Sequence, residues 1–350
     1  MILSLLSFLV VIAICVLSHE MGHYVSARMN GVQVHEFAFG MGPVLFQYGR
    51  GTNGTLWSVR AIPVGGFVRL AGMGEEQGEE KTAPGGSFLE KDAWRRFIVL
   101  ASGSAANIFL AIALTAVLLC GHGVIDLQST RVGEVMKGYP AMEAGIAAGD
   151  EIVSINGVHV ENWREMSESI RSMAPSGPLV LELQRPDKTV LSLRVDVPID
   201  PEYGVPLLGI RPSMTRYTPV KAVFESFGFI WNFGLEILKG FYDWIAGIRD
   251  VDVTGPVGIA SMAGQAAREG FWTFISFLAL INLHLGIINL FPFPALDGGR
   301  MLLVAAEMIT GRKLPEKWEN YIHMAGFIAL ILLLLLITWN DIAGLLYGGR

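Results

Sequence analysis

From Ile2 to Leu17 the chain carries no charge, and the run leads straight into His19-Glu20-Met21-Gly22-His23. Spanning a bilayer as a helix takes about 20 mostly apolar residues, because lipid offers no partner for bare backbone. Three other stretches reach that length, so four spans are expected: Ile2–Arg28, Phe97–Gly121, Phe271–Phe291 and Tyr321–Trp339. Charged residues make up 17% of the 350, against about a quarter in soluble domains, which agrees with a membrane chain carrying a soluble insert. A fold of another class would leave these runs unaccounted for. The N-terminus lacks the positive region and small-residue cleavage pattern of a signal peptide, and reads as a retained span.

Two imidazoles and a carboxylate at the end of a spanning helix are costly, and such residues are functional candidates. At i and i+4, His19 and His23 lie on nearly one helix face and can grip one metal ion. Glu20 is then free to act as the base for a water. A polar helix end fraying into the interface would leave the spacing unexplained. Cys15 lies one turn before His19, but a catalytic zinc usually keeps its fourth position for water. With Cys120 it reads as apolar packing, and two cysteines give no disulfide framework. The net charge of −6, without a basic stripe, gives no reason to expect nucleic acid.

Lys and Arg near the spans set the topology. They crowd the stretch after the first span (Arg28, Arg50, Arg60, Arg69, Lys81, Lys91, Arg95, Arg96) and that after the third (Arg300, Arg312, Lys313, Lys317). Both stretches are therefore expected in the cytoplasm, with the insert between spans two and three and both termini on the other side. The metal motif then lies toward the cytoplasmic face.

Residues 32–70 read as a small membrane-associated β segment. Its β-prone runs are Val34–Phe39, Val44–Tyr48, Leu56–Ile62 and Phe67–Leu70, with glycines between them. At membrane depth such a sheet must be covered by protein or face a wet cavity, and its edge can pair with an unwound strand. An ordinary hairpin without function is the competing reading. Residues 71–96 follow as a cytoplasmic loop with an acidic run, Gly74–Glu80, that reads as solvated surface. In the second span, Ala101–Asn107 is built of small residues that allow another helix to approach closely.

Residues 126–212 alternate short β-prone runs with turns around one helical stretch, Trp163–Met173. Within them Gly145–Gly157 reads G-I-A-A-G-D-E-I-V-S-I-N-G. This resembles the signature of bacterial PDZ domains, which accept an extended peptide as an added strand. Leu207-Leu208-Gly209-Ile210 looks like the peptide-accepting loop, which makes Gly209 and Ile210 candidate peptide contacts. Residues 219–250 form an amphipathic stretch rich in Phe and Trp, suited to a membrane interface. Thr254–Ile259 then turns the chain toward the third span.

The third span runs into Asn289-Leu290-Phe291-Pro292-Phe293-Pro294-Ala295-Leu296-Asp297-Gly298-Gly299-Arg300. The prolines break the helix before Asp297. A carboxylate there can be a third ligand beside His19 and His23, or it can cap the next helix. His and carboxylate donors suit zinc, and equally iron or cobalt.

The motifs, in order, resemble one family: the site-2 proteases, in the bacterial branch of the regulator-of-sigma-E protease. The motifs are H-E-x-x-H, Phe39-Gly40, Ile62–Val68, the PDZ insert, Gly255–Gly258 and N-x-x-P-x-P-x-L-D-G-G. The resemblance implies a polytopic α-helical membrane protein with four transmembrane helices, a membrane-associated β-sheet and one extracytoplasmic PDZ domain. It implies a bacterial inner-membrane location, and one zinc ion held by His19, His23 and Asp297 with Glu20 as base. It implies Asn289, Phe39 and Gly40 as substrate contacts, and single-span proteins such as anti-sigma factors, or remnant signal peptides, as substrates. The expected activity is endopeptidase cleavage within or beside the span, in regulated intramembrane proteolysis. Two positions depart from the family pattern. Ser104 stands where a proline is usual in Gly-Pro-x-x-Asn, and His284 stands where an asparagine is common; His284 reads best as a polar inter-helix residue. The alternative is a PDZ-bearing membrane adaptor with a non-catalytic metal site.

Overall fold

The computed structural model describes residues 2–49, 54–73, 84–201, 203–248 and 254–347. The chain divides into two compact units, Met1–Leu118 with Lys221–Arg350, and Leu119–Val220. The acidic run at 74–80 lies outside the described residues.

In the first unit, α1 (Ile2–Met29) is apolar on nearly every side, which suits a helix surrounded by other helices and lipid rather than by water. Two 15-residue strands follow, β1 (Val34–Tyr48) and β2 (Leu56–Leu70), paired antiparallel. Each folds at its glycines into two pairing segments. Phe37 lies opposite both Val68 and Trp57, and Phe39 opposite both Gly66 and Val59. The 34–39 segment is therefore central, with 66–70 on one flank, 56–59 on the other, and 44–48 beyond. The four β-prone runs of the sequence are these four segments, although the backbone runs through them as two strands. The turns need glycine: Gly40 has φ +86, and an added Cβ would come within 2.6 Å of the Ile62 carbonyl oxygen.

A short 3₁₀ turn (Phe88–Glu90) leads to α2 (Ala93–Gly121), which starts four residues before the expected span because its first turn lies outside the apolar run. After the second unit come α5 (Pro219–Ile245), α6 (Pro256–Glu269), α7 (Phe271–Asn289), α8 (Asp297–Thr310) and α9 (Glu316–Tyr347). Among the described residues, helices α1, α2, α7 and α9 are the four long and apolar enough to cross a membrane.

Three stretches take a definite form, and one of them, Thr254–Ile259, corrects an expectation. The stretch 219–250 holds one continuous helix, α5, among the described residues, because nothing between Pro219 and Ile245 breaks it. Thr254–Ile259 is not only a turn: it opens α6, with Pro256 at the first position, where a missing N–H costs nothing. The third span and the Asp297 motif are separate elements, broken at the prolines as the sequence indicates. Helix α7 ends at Asn289, and Pro292 and Pro294 hold the connection before α8 restarts at Asp297. Sequence reading passed over α6 because its small residues lack a strong apolar stripe. Those same residues let it press on α1: an added Cβ at Gly264 would overlap Ser4. Val11 and Cys15 of α1 are fully buried with Ala263 and Ala266 of α6 and Phe277 and Leu278 of α7.

The second unit holds β3 (Val124–Ile125), β4 (Val132–Val135), α3 (Pro140–Glu143), β5 (Glu151–Ile155), β6 (Val158–His159), α4 (Trp163–Met173), β7 (Leu179–Gln184), β8 (Val190–Val195), β9 (Ile210–Pro212) and β10 (Met214–Thr215). Its main sheet has the order β6-β5-β7-β8, with β4 paired to β9 and β3 to β10. Alternate residues Leu179, Leu181 and Leu183 are fully buried, and α4 covers them with Met166 and Ile170 at i and i+4. Asn156 (φ 50) and Gly157 (φ 81) turn β5 into β6, the left-handed pair a two-residue hairpin demands.

Candidate metal centre

Helix α1 carries His19 and His23 one turn apart, and α8 brings Asp297 to them from the far end of the chain. His19 Nε2 lies 3.0 Å and His23 Nε2 3.1 Å from Asp297 Oδ2, and the two nitrogens are 3.2 Å apart. Among the described residues these three form the one group able to hold a metal ion. Tetrahedral ligand atoms about 2.0–2.1 Å from zinc lie about 3.3 Å from each other, so the spacing fits. The hydrogen bonding fits as well. His23 Nδ1 donates to the Val99 carbonyl at 2.8 Å, which leaves Nε2 of the neutral ring with its lone pair facing the carboxylate. Acceptors turned on one another in this way call for a cation between them.

Neighbouring glycines explain how the cluster fits between helices. An added Cβ at Gly103 of α2 would fall 2.4 Å from His23 Nε2 and 2.7 Å from His19 Cε1. Gly22 lets α1 close on α2, where a Cβ would meet the Ser102 carbonyl at 2.2 Å. The small-residue run of the second span thus packs beside the metal helix, as its sequence indicates. Ser104 and Asn107 of the same run, and Asn282 of α7, are buried with side-chain polar atoms that lack a partner among the described residues, and so is Nδ1 of His19. From sequence, Asn107 reads as an inter-helix hydrogen-bonding residue and Ser104 as part of the packing run, whereas Asn282 carries no signal.

Glu20 lies beside the sheet as well as the imidazoles. Its carboxylate accepts from the Val68 backbone N–H, and an added Cβ at Gly66 would meet Val16 and Glu20. Tyr24, one turn on, stacks edgewise on Phe37 and Trp57 at 5.9 and 5.1 Å and fixes the sheet to α1. Phe39, opposite Gly66, and the buried Gly40 therefore lie in the segment next to the one touching Glu20. A buried Glu36 ties that segment down, accepting from Ser58 and from Arg60 at 2.7 Å.

The remaining candidates fall elsewhere. Asn289 is the last residue of α7, half-buried at the start of the connection to Asp297. His284 donates to the Leu280 carbonyl of its own helix at 2.9 Å and faces Phe233 of α5 edge-on at 6.5 Å, so it is an inter-helix residue. In the second unit Gly209 (φ +82) lies against Tyr139, and Ile210 begins β9 opposite Val135.

Comparison with known proteins agrees with this centre. The model of peptidase family M50 matches residues 7–333. CA_C1796 of Clostridium acetobutylicum, carried under a zinc-metalloprotease name, is 32% identical over 337 residues, covering 94% of each chain. FN1322 of Fusobacterium nucleatum, under a similar name, is 32% identical over 346 residues, 97% of this chain and 98% of its own. Zinc metalloprotease RasP of Geobacillus kaustophilus is 28% identical over 422 residues, 97% of each.

Proposed function

The chain belongs to peptidase family M50 and is a metalloprotease, and from that premise we propose an intramembrane endopeptidase with Glu20 as its base. In this reading His19, His23 and Asp297 hold one zinc ion. The observation that carries it is the meeting of these three side chains, with Glu20 beside them, on a helix long and apolar enough to span a bilayer.

Bound zinc would act as a Lewis acid and bring the pKa of a water to about 7. Glu20 takes the proton of the attacking water and returns it to the leaving amine. The Val68 N–H holds the Glu20 carboxylate in place between these transfers. Asn289 hydrogen-bonds the substrate near the scissile bond. A helical substrate hides its carbonyls in i→i−4 bonds, so it must unwind before attack. The β segment supports this step: its 66–70 flank lies against Glu20 and offers an edge to an extended chain, with Phe39 and Gly40 on the segment behind it.

The substrates proposed are single-span membrane proteins, anti-sigma factors or remnant signal peptides among them, cut in regulated intramembrane proteolysis. The bacterial inner membrane is the proposed site, with the metal centre toward the cytoplasm and the second unit outside it, on the Lys and Arg bias of the loops. We read the second unit as a PDZ domain. Asp150 of its Gly-Asp pair is buried and accepts from the Ala147 N–H at 2.9 Å, and Asn156 Oδ1 accepts from the Val180 N–H at 2.7 Å. The signature residues thus hold the turns of this unit. Gly209 and Ile210 would take a peptide carboxyl terminus.

Mass spectrometry of a single-span substrate incubated with purified protein, wild type against Glu20→Gln at equal zinc content, tests the reading. Fragments ending inside the span and made only by wild type are expected. Identical fragments from both would remove Glu20 as the base. No fragments from either would favour an adaptor.

A further inference from the structure

The connection that delivers Asp297 is held from outside by α9. Ala295 has φ +79, a left-handed conformation that L side chains avoid. Its backbone N–H donates to Nδ1 of His323, on α9, at 3.1 Å. For Nδ1 to accept, the ring must be neutral with its proton on Nε2. His323 is 9% exposed, and its Nε2 has no hydrogen-bond partner among the described residues. A buried imidazole used at one nitrogen, within the run from Tyr321 to Trp339 that is otherwise almost wholly apolar, is a costly choice. Packing points to the same contact. Gly326, one turn from His323, allows α9 to meet the connection, since an added Cβ would lie 2.3 Å from Pro294 Cβ and 2.5 Å from the Pro294 oxygen. On its other side the connection folds onto the first turn of α8, where a Cβ at Gly299 would come within 2.3 Å of the Phe293 oxygen. The segment is clamped between α8 and α9, and Asp297 lies two residues beyond the clamped N–H.

We propose that His323 is a positioning residue: as a neutral acceptor it fixes Ala295 in its left-handed conformation and so aims Asp297 at His19 and His23. This rests on the reading of those three residues as zinc ligands. Outer partners that orient metal-binding groups cost about 10- to 100-fold in metal affinity when removed.

The test is the rate of zinc release from the full-length protein in detergent to a chromogenic chelator. His323→Leu should release zinc about 10- to 100-fold faster than wild type. His323→Asn, whose Oδ1 can take the place of Nδ1, should stay close to wild type. His323→Gln, whose amide reaches the Nε2 position instead, should behave like the leucine variant and serves in its place if that variant melts early. Ala295→Gly, free to adopt φ +79, should recover part of the loss in the leucine background. Release from His323→Leu at the wild-type rate, or equal rates for the asparagine and glutamine variants, overturns the proposal. Asp297→Asn is run in parallel. If it holds zinc as wild type does, the ligand reading fails and the proposal with it. If it loses zinc while His323→Leu does not, only the role of His323 falls.

Discussion

Gly103 shows at residue scale how little room the centre has. A methyl group there would stand 2.4 Å from His23 Nε2 and 2.7 Å from His19 Cε1, so either the imidazoles or α2 must move. Gly103→Ala should lower zinc occupancy and proteolysis together, measured as metal content and cleavage of a single-span substrate. Full occupancy would show that α2 can retreat. His19, Glu20 and His23 were legible in the sequence because metal ligation and base catalysis each ask for a residue type, and the helix supplies the spacing. Gly103 was legible only as a small residue, since nothing in one sequence says which neighbour it must admit. His323 was not legible: a lone histidine in an apolar run acquires its meaning from Ala295, which a different element brings to it.

At the scale of elements, termini do much of the organising. Helix α6 has no capping side chain of its own at Gly255. Asp341 of α9 supplies the cap, accepting from the Gly255 N–H at 3.1 Å and the Gly258 N–H at 2.9 Å. An added Cβ at Gly255 would strike the same carboxylate, which explains the Gly-Pro-Val-Gly sequence. Asp341→Ala should cost about 1–2 kcal/mol of stability, read from unfolding in detergent. In α4 the cap is local. Asn162 accepts from the Glu165 N–H, and Glu165 accepts from the Glu161 N–H, which holds the Glu165 carboxyl below its ordinary range. Because the folded pKa is the lower one, this cap stabilises above the unfolded value near 4.3 and is lost as pH falls through the folded value. Carboxyl chemical shifts should place the Glu165 midpoint below that of an unfolded peptide. A midpoint at or above it would deny the capping box. The α4 cap is contained in one local Asn-x-x-Glu run, whereas the α6 cap draws on a partner 86 residues away.

At the scale of the molecule, the two units are stabilised by different means. The unit from Leu119 to Val220 has the core of a soluble domain, with fully buried Ile152, Ile155, Leu179, Leu181 and Leu183. Leu181→Ala should cost it about 2–5 kcal/mol, the sum of lost transfer energy and a cavity. Hydrogen exchange should report that loss in this unit, with zinc content unchanged because every proposed ligand belongs to the other unit. Loss of zinc in that variant would mean that the centre depends on the fold of this unit. In the other unit long apolar faces remain exposed, as on Leu332–Leu336 of α9, which suits lipid as the surrounding medium.

By itself the sequence determined the spans, the β-prone runs and the soluble insert, because lipid and water each impose a local pattern that a chain must display in order. It also determined that His19, Glu20 and His23 share a helix. Only the tertiary structure decided that Asp297 joins them and that the four β-prone runs fold through two strands around 34–39. It alone placed α6 as a helix against α1. Those outcomes rest on contacts between residues far apart in the chain, and on glycines whose value is the neighbour they admit.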